Sequence, residues 1–311
     1  MKILITGGTG FIGSHLVERL LKEKHELILL KNSFSNTWRI KSILKKLQIY
    51  EIDRLDNLES IFKKYRIDIV IHLAAKYLKQ DPSFLEIKQM NYFNITVPTQ
   101  LLDIASKFKV KGFINTGTFF EYKLDNRKKP ISERSPKNPY NYYTVTKIAF
   151  EEILKYYCVN SKIKGVTLKL FSPYGEKDNE KIIPIIIKSF IQNKELNLTK
   201  GDQKLSFTYI DDIVDAYIEA IDFINKKKFE YDNFNIGSNQ SYSIKQLIKI
   251  ISRISRKKNI VNLGQIKSTK DEKINIQCDY GKAKKYLNWR PKTDVTSGLG
   301  KTYKYYFNAL V

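Results

Sequence analysis

An α/β fold, a doubly wound parallel sheet carrying a smaller C-terminal lobe, is what this sequence predicts, on three observations. A short apolar run from Lys2 breaks into a glycine loop, Thr6-Gly7-Gly8-Thr9-Gly10-Phe11-Ile12-Gly13. Apolar runs of strand length then alternate with segments of helical periodicity as far as Phe171. Beyond that point the alternation loosens, which sets a second unit apart from the first. Strands that alternate with helices build parallel sheets covered on both faces, and such sheets bind ligands at the carboxyl ends of their strands.

The first strand starts at Lys2, and the glycines that follow it have separate uses. Gly7 allows a tight turn, Gly10 a close approach to a pyrophosphate, and Gly13 the packing of the next helix on the sheet. The amphipathic segment 14–22 supplies that helix, whose N-terminus attracts an anion. The loop therefore has the context of a Rossmann-type dinucleotide fingerprint: strand before, helix after. Further strand-like runs lie at 26–30, 47–52, 67–73, 112–115 and 165–171. Later come a helix over 181–192, a strand over 205–210 and a helix over 244–254, the last following Phe234-Asn-Ile-Gly237. Residues 1–171 are expected to form the dinucleotide-binding domain, rejoined by about 207–237, with 172–311 mainly a substrate-binding lobe. Without an internal repeat or long linker, the lobe should pack directly on the domain and leave a cleft for a second substrate.

Composition excludes several classes. At 311 residues and 42% hydrophobic, the chain can bury a full core. No stretch approaches the roughly eighteen uninterrupted apolar residues of a membrane span, and the immediate first strand leaves no room for a signal peptide, so a cytoplasmic location is expected. Cys158 and Cys278 are far apart and His15, His25 and His72 do not cluster with them, so neither a disulfide nor a metal site is expected. The net charge of +23 raises the question of nucleic acid. The lysines are spread along the chain, with only short runs such as Lys226-Lys-Lys228, and no recognition motif accompanies them. A positive field suits an anionic substrate or cofactor instead.

The reactive groups are signalled by Tyr143-Thr-Val-Thr-Lys147. Residues four apart share one helical face, so the ammonium can stand near the phenol and favour its ionised form. An ordinary tyrosine, with pKa about 10, is a poor base at neutral pH. A positive neighbour and an oxidised nicotinamide would bring it into the range for exchanging a proton with a hydroxyl or carbonyl. Of Tyr140, Tyr142 and Tyr143, only Tyr143 has a lysine four residues on.

With these motifs in place the chain resembles the extended short-chain dehydrogenase/reductases, the NAD-dependent epimerase/dehydratase family of nucleotide-sugar enzymes. The resemblance runs nearly end to end: the loop at 6–13, His72-Leu73-Ala74-Ala75, Asn91, Tyr143 with Lys147, Tyr174-Gly175, Tyr209-Ile-Asp-Asp212, Asn235-Ile-Gly237 and Leu287-Asn-Trp289-Arg-Pro291. It implies a Ser/Thr, Tyr, Lys triad whose first member ends the fifth strand. Thr118 stands 25 residues before Tyr143, where similar enzymes place it, with Thr116 its nearest rival. Thr118 would hydrogen-bond the reacting oxygen and Lys147 would also hold the nicotinamide ribose. Gly7, Gly10, Phe11, Ile12, Gly13, Leu73, Ala74 and Ala75 would line the cofactor, with Asp53 at its adenine. The family also implies a homodimer through the helices that follow Asn91 and carry Tyr143.

Two departures from the family pattern bear on cofactor and reaction. Members using NAD(H) usually end the second strand with an acid, whereas this chain has Lys31-Asn32-Ser33 there, with Arg39 nearby. An ammonium attracts the 2′-phosphate that a carboxylate would repel, so NADP(H) is expected. Dehydratases carry an acid pair directly after the triad threonine, and Phe119-Phe120 replaces it here. Lys31-Asn-Ser-Phe-Ser-Asn-Thr-Trp-Arg39 together with Asn115-Thr-Gly-Thr-Phe-Phe120 resembles the CDP-abequose and CDP-paratose synthase group, 4-ketoreductases of CDP-linked dideoxy sugars in surface-glycan biosynthesis. Asn91, Ser172 and Lys204 are the expected substrate contacts, Ser172 standing where relatives commonly carry Asn and Lys204 substituting for a missing arginine. Two other readings are an NAD-retaining nucleotide-sugar 4-epimerase and an NADPH-binding regulatory protein. The intact Tyr143–Lys147 pair argues against the second.

Overall fold

The computed structural model describes residues 1–52, 58–77, 82–124, 129–178, 181–258, 260–267 and 274–311. In chain order the first half runs β1 (Lys2–Thr6), α1 (Phe11–Lys22), β2 (Glu26–Lys31), a 3₁₀ segment (Trp38–Lys46), β3 (Gln48–Glu51), α2 (Leu58–Lys64) and β4 (Ile69–His72). Then come α3 (Phe84–Asn91), a π-helical turn (Tyr92–Thr96), α4 (Val97–Lys107), β5 (Gly112–Thr118), α5 (Tyr142–Asn160) and β6 (Lys164–Leu170). The remainder is β7 (Pro173–Tyr174), α6 (Ile182–Gln192), β8 (Leu196–Leu198), β9 (Lys204–Leu205), β10 (Thr208–Tyr209) and α7 (Ile210–Lys226). It closes with β11 (Tyr231–Ile236), β12 (Tyr242–Ser243), α8 (Ile244–Ser255), β13 (Val261–Leu263), α9 (Gly281–Tyr286) and α10 (Val295–Leu310).

Seven strands form one sheet in the order β11-β6-β5-β4-β1-β2-β3. Every neighbouring pair in it is parallel. Parallel strands need crossover connections, and the helices that provide them cover both faces. One apolar cluster joins alternate residues of β1 such as Ile3 and Ile5 to α1, α7 and the C-terminal helices, while the other joins Leu4 and Val70 to α2, α4 and α5. The chain leaves β1 for β2 on one side and reaches β4 on the other. Strand order therefore reverses between β1 and β4, and the crevice at their carboxyl ends is where a doubly wound sheet takes its ligand.

The sequence-based elements are recovered with informative shifts. Helix α1 begins at Phe11, so Phe11, Ile12 and Gly13 form its first turn. The fifth strand extends past 115 to Thr118, because Thr116, Gly117 and Thr118 continue in register against Leu168, Lys169 and Leu170 of β6. The strand expected over 205–210 is not continuous: β9 pairs with β12, β10 pairs with β7, and Ile210 already opens α7. Its alternation is that of two short bridging pieces with a helix start, each too brief to show its own period.

Candidate active site

The crevice between β1 and β4 is built by glycine. Gly7 has φ of +72°, and a Cβ there would lie 2.6 Å from the Ala74 backbone nitrogen, so the loop after β1 touches the segment after β4. A Cβ on Gly13 would meet the Gly7 carbonyl oxygen at 2.2 Å, which explains why helix and loop can close on each other here. Gly10 caps α1 without a side chain, and no acidic residue stands in the first turn. The exposed amide dipoles at that end are thus left for an anion. A cleft of about 450 Å³ opens from this loop, lined by Gly7, Gly10, Lys31, Asn32, Leu73, Ala74 and Ala75 among others. These residues fit a dinucleotide: a pyrophosphate at the loop and a ribose toward the end of β2. Asp53 lies outside the described residues.

Helix α5 carries Tyr143 and Lys147 on one face, and Asn141 caps it by accepting from the Thr144 amide at 3.0 Å. Tyr143 is half-buried with its ring edge-on to Tyr77, 5.0 Å between centroids, in the segment that leaves β4. Buried Asn94, in the π turn, donates to Thr146 on α5 at 2.9 Å and accepts from the Lys76 amide at 2.7 Å. It thereby ties the Tyr143 helix to the loop after β4. Thr118 ends β5, 8% exposed, and its hydroxyl oxygen accepts from the Phe120 amide at 3.3 Å. That bond uses a lone pair and leaves the hydroxyl proton available to a ligand oxygen. Thr116 is committed elsewhere, donating to the His72 carbonyl at 2.9 Å and sharing a 2.6 Å bond with the Tyr217 hydroxyl. Phe119, Phe120 and Tyr140 stack beside Thr118, at 4.2 and 5.2 Å between successive centroids.

The electrostatics correct one expectation. The protein's own groups do not lower the Tyr143 phenol: burial pushes its pKa up, and Glu121 and Tyr77 add to the shift. Burial also pulls Lys147 down to about 8, against the carboxylates Glu121 and Glu151 that support its charge. Both members of the pair are desolvated together, and desolvation disfavours each charged form. His72, fully buried at the end of β4, is pulled down to about 3 by burial and by the Lys147 charge. Its Nδ1 shares a 2.7 Å bond with the Thr6 hydroxyl, directly before the glycine loop.

Behind the site lies a buried ion cluster that the sequence reasoning missed. Lys169 of β6 pairs with Glu121 at 2.9 Å and with Glu151 of α5 at 3.1 Å, all three at most 1% exposed. The retrievable signal was Glu151, one turn beyond Lys147 on the same face as Tyr143.

Other expected contacts are placed as follows. The Lys31 ammonium lines the cleft, but it also pairs with Glu51 at 2.6 Å and reaches the carbonyls of Asn32 at 3.2 Å and Ser33 at 3.5 Å. Glu51, opposite Lys31 in the β2–β3 register, was not anticipated. Arg39 donates to the Lys177 carbonyl at 2.9 Å and covers the Trp38 ring. The Asn91 side chain accepts from the Tyr142 hydroxyl at 3.0 Å. Ser172 follows β6 with φ of +32°, and its carbonyl accepts from Thr208. Lys204 is exposed on β9. Among the described residues no group of His, Cys, Asp and Glu could hold a metal, and no helix is long and apolar enough to cross a membrane.

A glycine fingerprint at the β1–β4 crevice, with Tyr143 of the Tyr–Lys helix packed against the segment that leaves β4, fits a dinucleotide-dependent oxidoreductase of the short-chain dehydrogenase/reductase type. The model of the NAD dependent epimerase/dehydratase family matches residues 3–237, and the chain belongs to that family. It is an NAD(P)-dependent oxidoreductase of the extended branch. It is 28% identical over 308 residues to CDP-abequose synthase of Salmonella muenchen, covering 96% of each chain. It is 35% identical over 274 residues to dTDP-D-glucose 4,6-dehydratase of Dictyostelium discoideum, covering 82% of this chain and 62% of that one. Among solved structures, UDP-glucuronic acid 4-epimerase from Bacillus cereus, in complex with UDP-glucuronic acid and NAD, is 29% identical with a TM-score of 0.86 over the whole of both chains.

Proposed function

We propose that this enzyme reduces the 4-keto group of a nucleotide-linked deoxy sugar, CDP-linked by preference, with NADPH as reductant. What supports this reading is Tyr143 packed edge-on against Tyr77 in the segment that leaves β4, with Thr118 at the end of β5 and the rings of Phe119 and Phe120 following it where a water-eliminating enzyme needs carboxyl groups. The bound dinucleotide would supply the hydride. Tyr143 gives its proton to the keto oxygen, and burial, which keeps the phenol protonated, suits a donor in the reductive direction. Thr118 donates a hydrogen bond to the same oxygen as negative charge develops there. Lys147 stabilises the tyrosinate left behind and holds the nicotinamide ribose. Phe119 and Phe120 offer no acid–base pair, which disfavours elimination. The full-length similarity to CDP-abequose synthase supports the substrate class.

The preference for NADP(H) over NAD(H) rests on Lys31 in the cleft, with Asn32 and Ser33 beside it. Exposed Tyr156 and Val159 on α5 support a homodimer joined through α4 and α5. The deciding experiment supplies NADPH or NADH with CDP-, dTDP-, GDP- and UDP-linked 4-keto sugars and follows absorbance at the reduced-nicotinamide band. Oxidation of NADPH dependent on a CDP-linked substrate is expected. Interconversion of nucleotide sugars without added reductant, by protein that retains NAD on purification, would instead establish a 4-epimerase.

A further inference from the structure

Glu121 occupies a place that the chemistry just proposed does not use. It follows β5 by three residues and is fully buried. One carboxylate oxygen accepts from the backbone amide of Thr118 at 3.2 Å while the Thr118 hydroxyl accepts from the Phe120 amide, a reciprocal cap that fixes the end of β5. The other oxygen lies 2.9 Å from the Lys169 ammonium, which also binds Glu151. Room for this carboxylate is made by Gly117: a Cβ there would lie 3.1 Å from Glu121 Oε1 and 3.0 Å from Lys169 Cγ. Glu121 and Glu151 share the one buried ammonium of Lys169, Glu151 meets Lys137 at 3.4 Å and Lys155 at 3.8 Å on its outer side, and Glu151 stands one turn beyond buried Lys147 on α5.

We propose that Glu121 is a positioning residue for the reaction, locking Thr118 through its backbone amide and supplying, with Glu151, the negative charge that keeps Lys147 an ammonium inside the protein. This rests on the reading of Thr118, Tyr143 and Lys147 as the reacting groups. Other ionisable groups near Lys147 are His72 on β4, uncharged in its buried site, and Tyr143 one turn back on the same helix. Glu151 is further held by Tyr231, whose hydroxyl donates at 2.8 Å, and by Lys137 at 3.4 Å. Burial pushes Glu121 up to about 7 despite Lys169. The extra negative charge therefore develops across neutral pH, just below the range where Lys147 would otherwise lose its proton.

The test reads Lys147 directly, so that it does not depend on the substrate being known. Protein labelled with ¹³Cε-lysine is titrated by NMR, with the Lys147 resonance assigned by its loss in Lys147→Met. Glu121→Gln keeps the size and an acceptor for the Thr118 amide but removes the charge, and the Lys147 midpoint is expected to fall by about one pH unit or more. Glu121→Gln with Lys169→Gln leaves Glu151 as the only charge of the three and is expected to return the midpoint toward that of the unsubstituted protein. If Glu121→Gln fails to fold, Glu151→Gln removes the same charge from the helix side and predicts the same downward shift. An unchanged midpoint in the folded charge-removing variant overturns the proposal. The underlying reading is judged separately by Tyr143→Phe: full turnover in that variant would refute the proton-donor role whatever Lys147 does.

Discussion

At the residue scale the two ammonium groups near the cleft are governed by their carboxylate partners. Lys31 can meet a 2′-phosphate only by sharing itself with Glu51, 2.6 Å away. Lys31→Ala should therefore weaken NADPH binding about tenfold while changing NADH binding little, and Glu51→Gln should tighten NADPH several-fold. Fluorescence titration of both cofactors checks this, and equal losses for the two would remove Lys31 from the specificity argument. Tyr143→Phe should lower turnover by about a factor of 10²–10⁴ with NADPH binding retained, as expected for loss of a proton donor. Single-turnover measurements separate the two effects. The Tyr–Lys spacing made both residues readable in the chain, because helix geometry puts residues four apart on one face. Glu121 was not readable, since nothing local says whether an acid after a strand points into solvent or beneath its neighbour.

At the element scale, the packing of the glycine loop and the helix junctions decides where those residues stand. Gly13→Ala would place a Cβ within 2.2 Å of the Gly7 carbonyl, so α1 or the loop must move. We expect a loss of about 1–3 kcal/mol in urea unfolding, typical of overpacking, together with impaired cofactor binding. Asn94→Ala strips the bonds to Thr146 and Lys76 and leaves the part-buried backbone amide and carbonyl of Lys76 without these bonds. A cost of about 1–3 kcal/mol follows, together with a looser α5 that should appear as faster amide exchange near Tyr143. Strands β1, β2, β4 and β6 could be read from apolar runs because parallel strands are buried on both faces. The π turn and the two-residue strands β7, β9, β10 and β12 could not, since their pairing is fixed by tertiary contacts rather than by any repeat of their own.

For the whole molecule, charge and pH are the controlling variables. The net charge of +23 predicts that affinity for an anionic nucleotide substrate weakens several-fold as salt rises from about 0.05 to 0.5 M, because screening removes the long-range attraction. Stability should also carry the signature of His72, whose folded-state pKa of about 3 lies below the ordinary histidine value of about 6.5. Below pH 6.5 the unfolded chain takes up a proton that the native state refuses. This contribution to stability is therefore present above that pH and is lost as pH falls toward 3, at no more than about 1.4 kcal/mol per pH unit. His72→Gln should lose less stability than the unsubstituted protein between pH 6.5 and 4 in urea unfolding, and parallel slopes would sink the assignment. The parallel sheet was foreshadowed by the alternation of elements, but the order of its seven strands was not, since no local repeat says which strands lie side by side.

His72 has one further consequence. Its Nδ1 is bonded to Thr6 at the mouth of the dinucleotide loop, its ring lies within reach of the Lys147 field, and its Nε2 has no hydrogen-bond partner among the described residues. An imidazole so placed is a built-in spectator. The nitrogen chemical shifts of this one ring would register both the filling of the loop and the charge on the amine, without any label being introduced into the cleft.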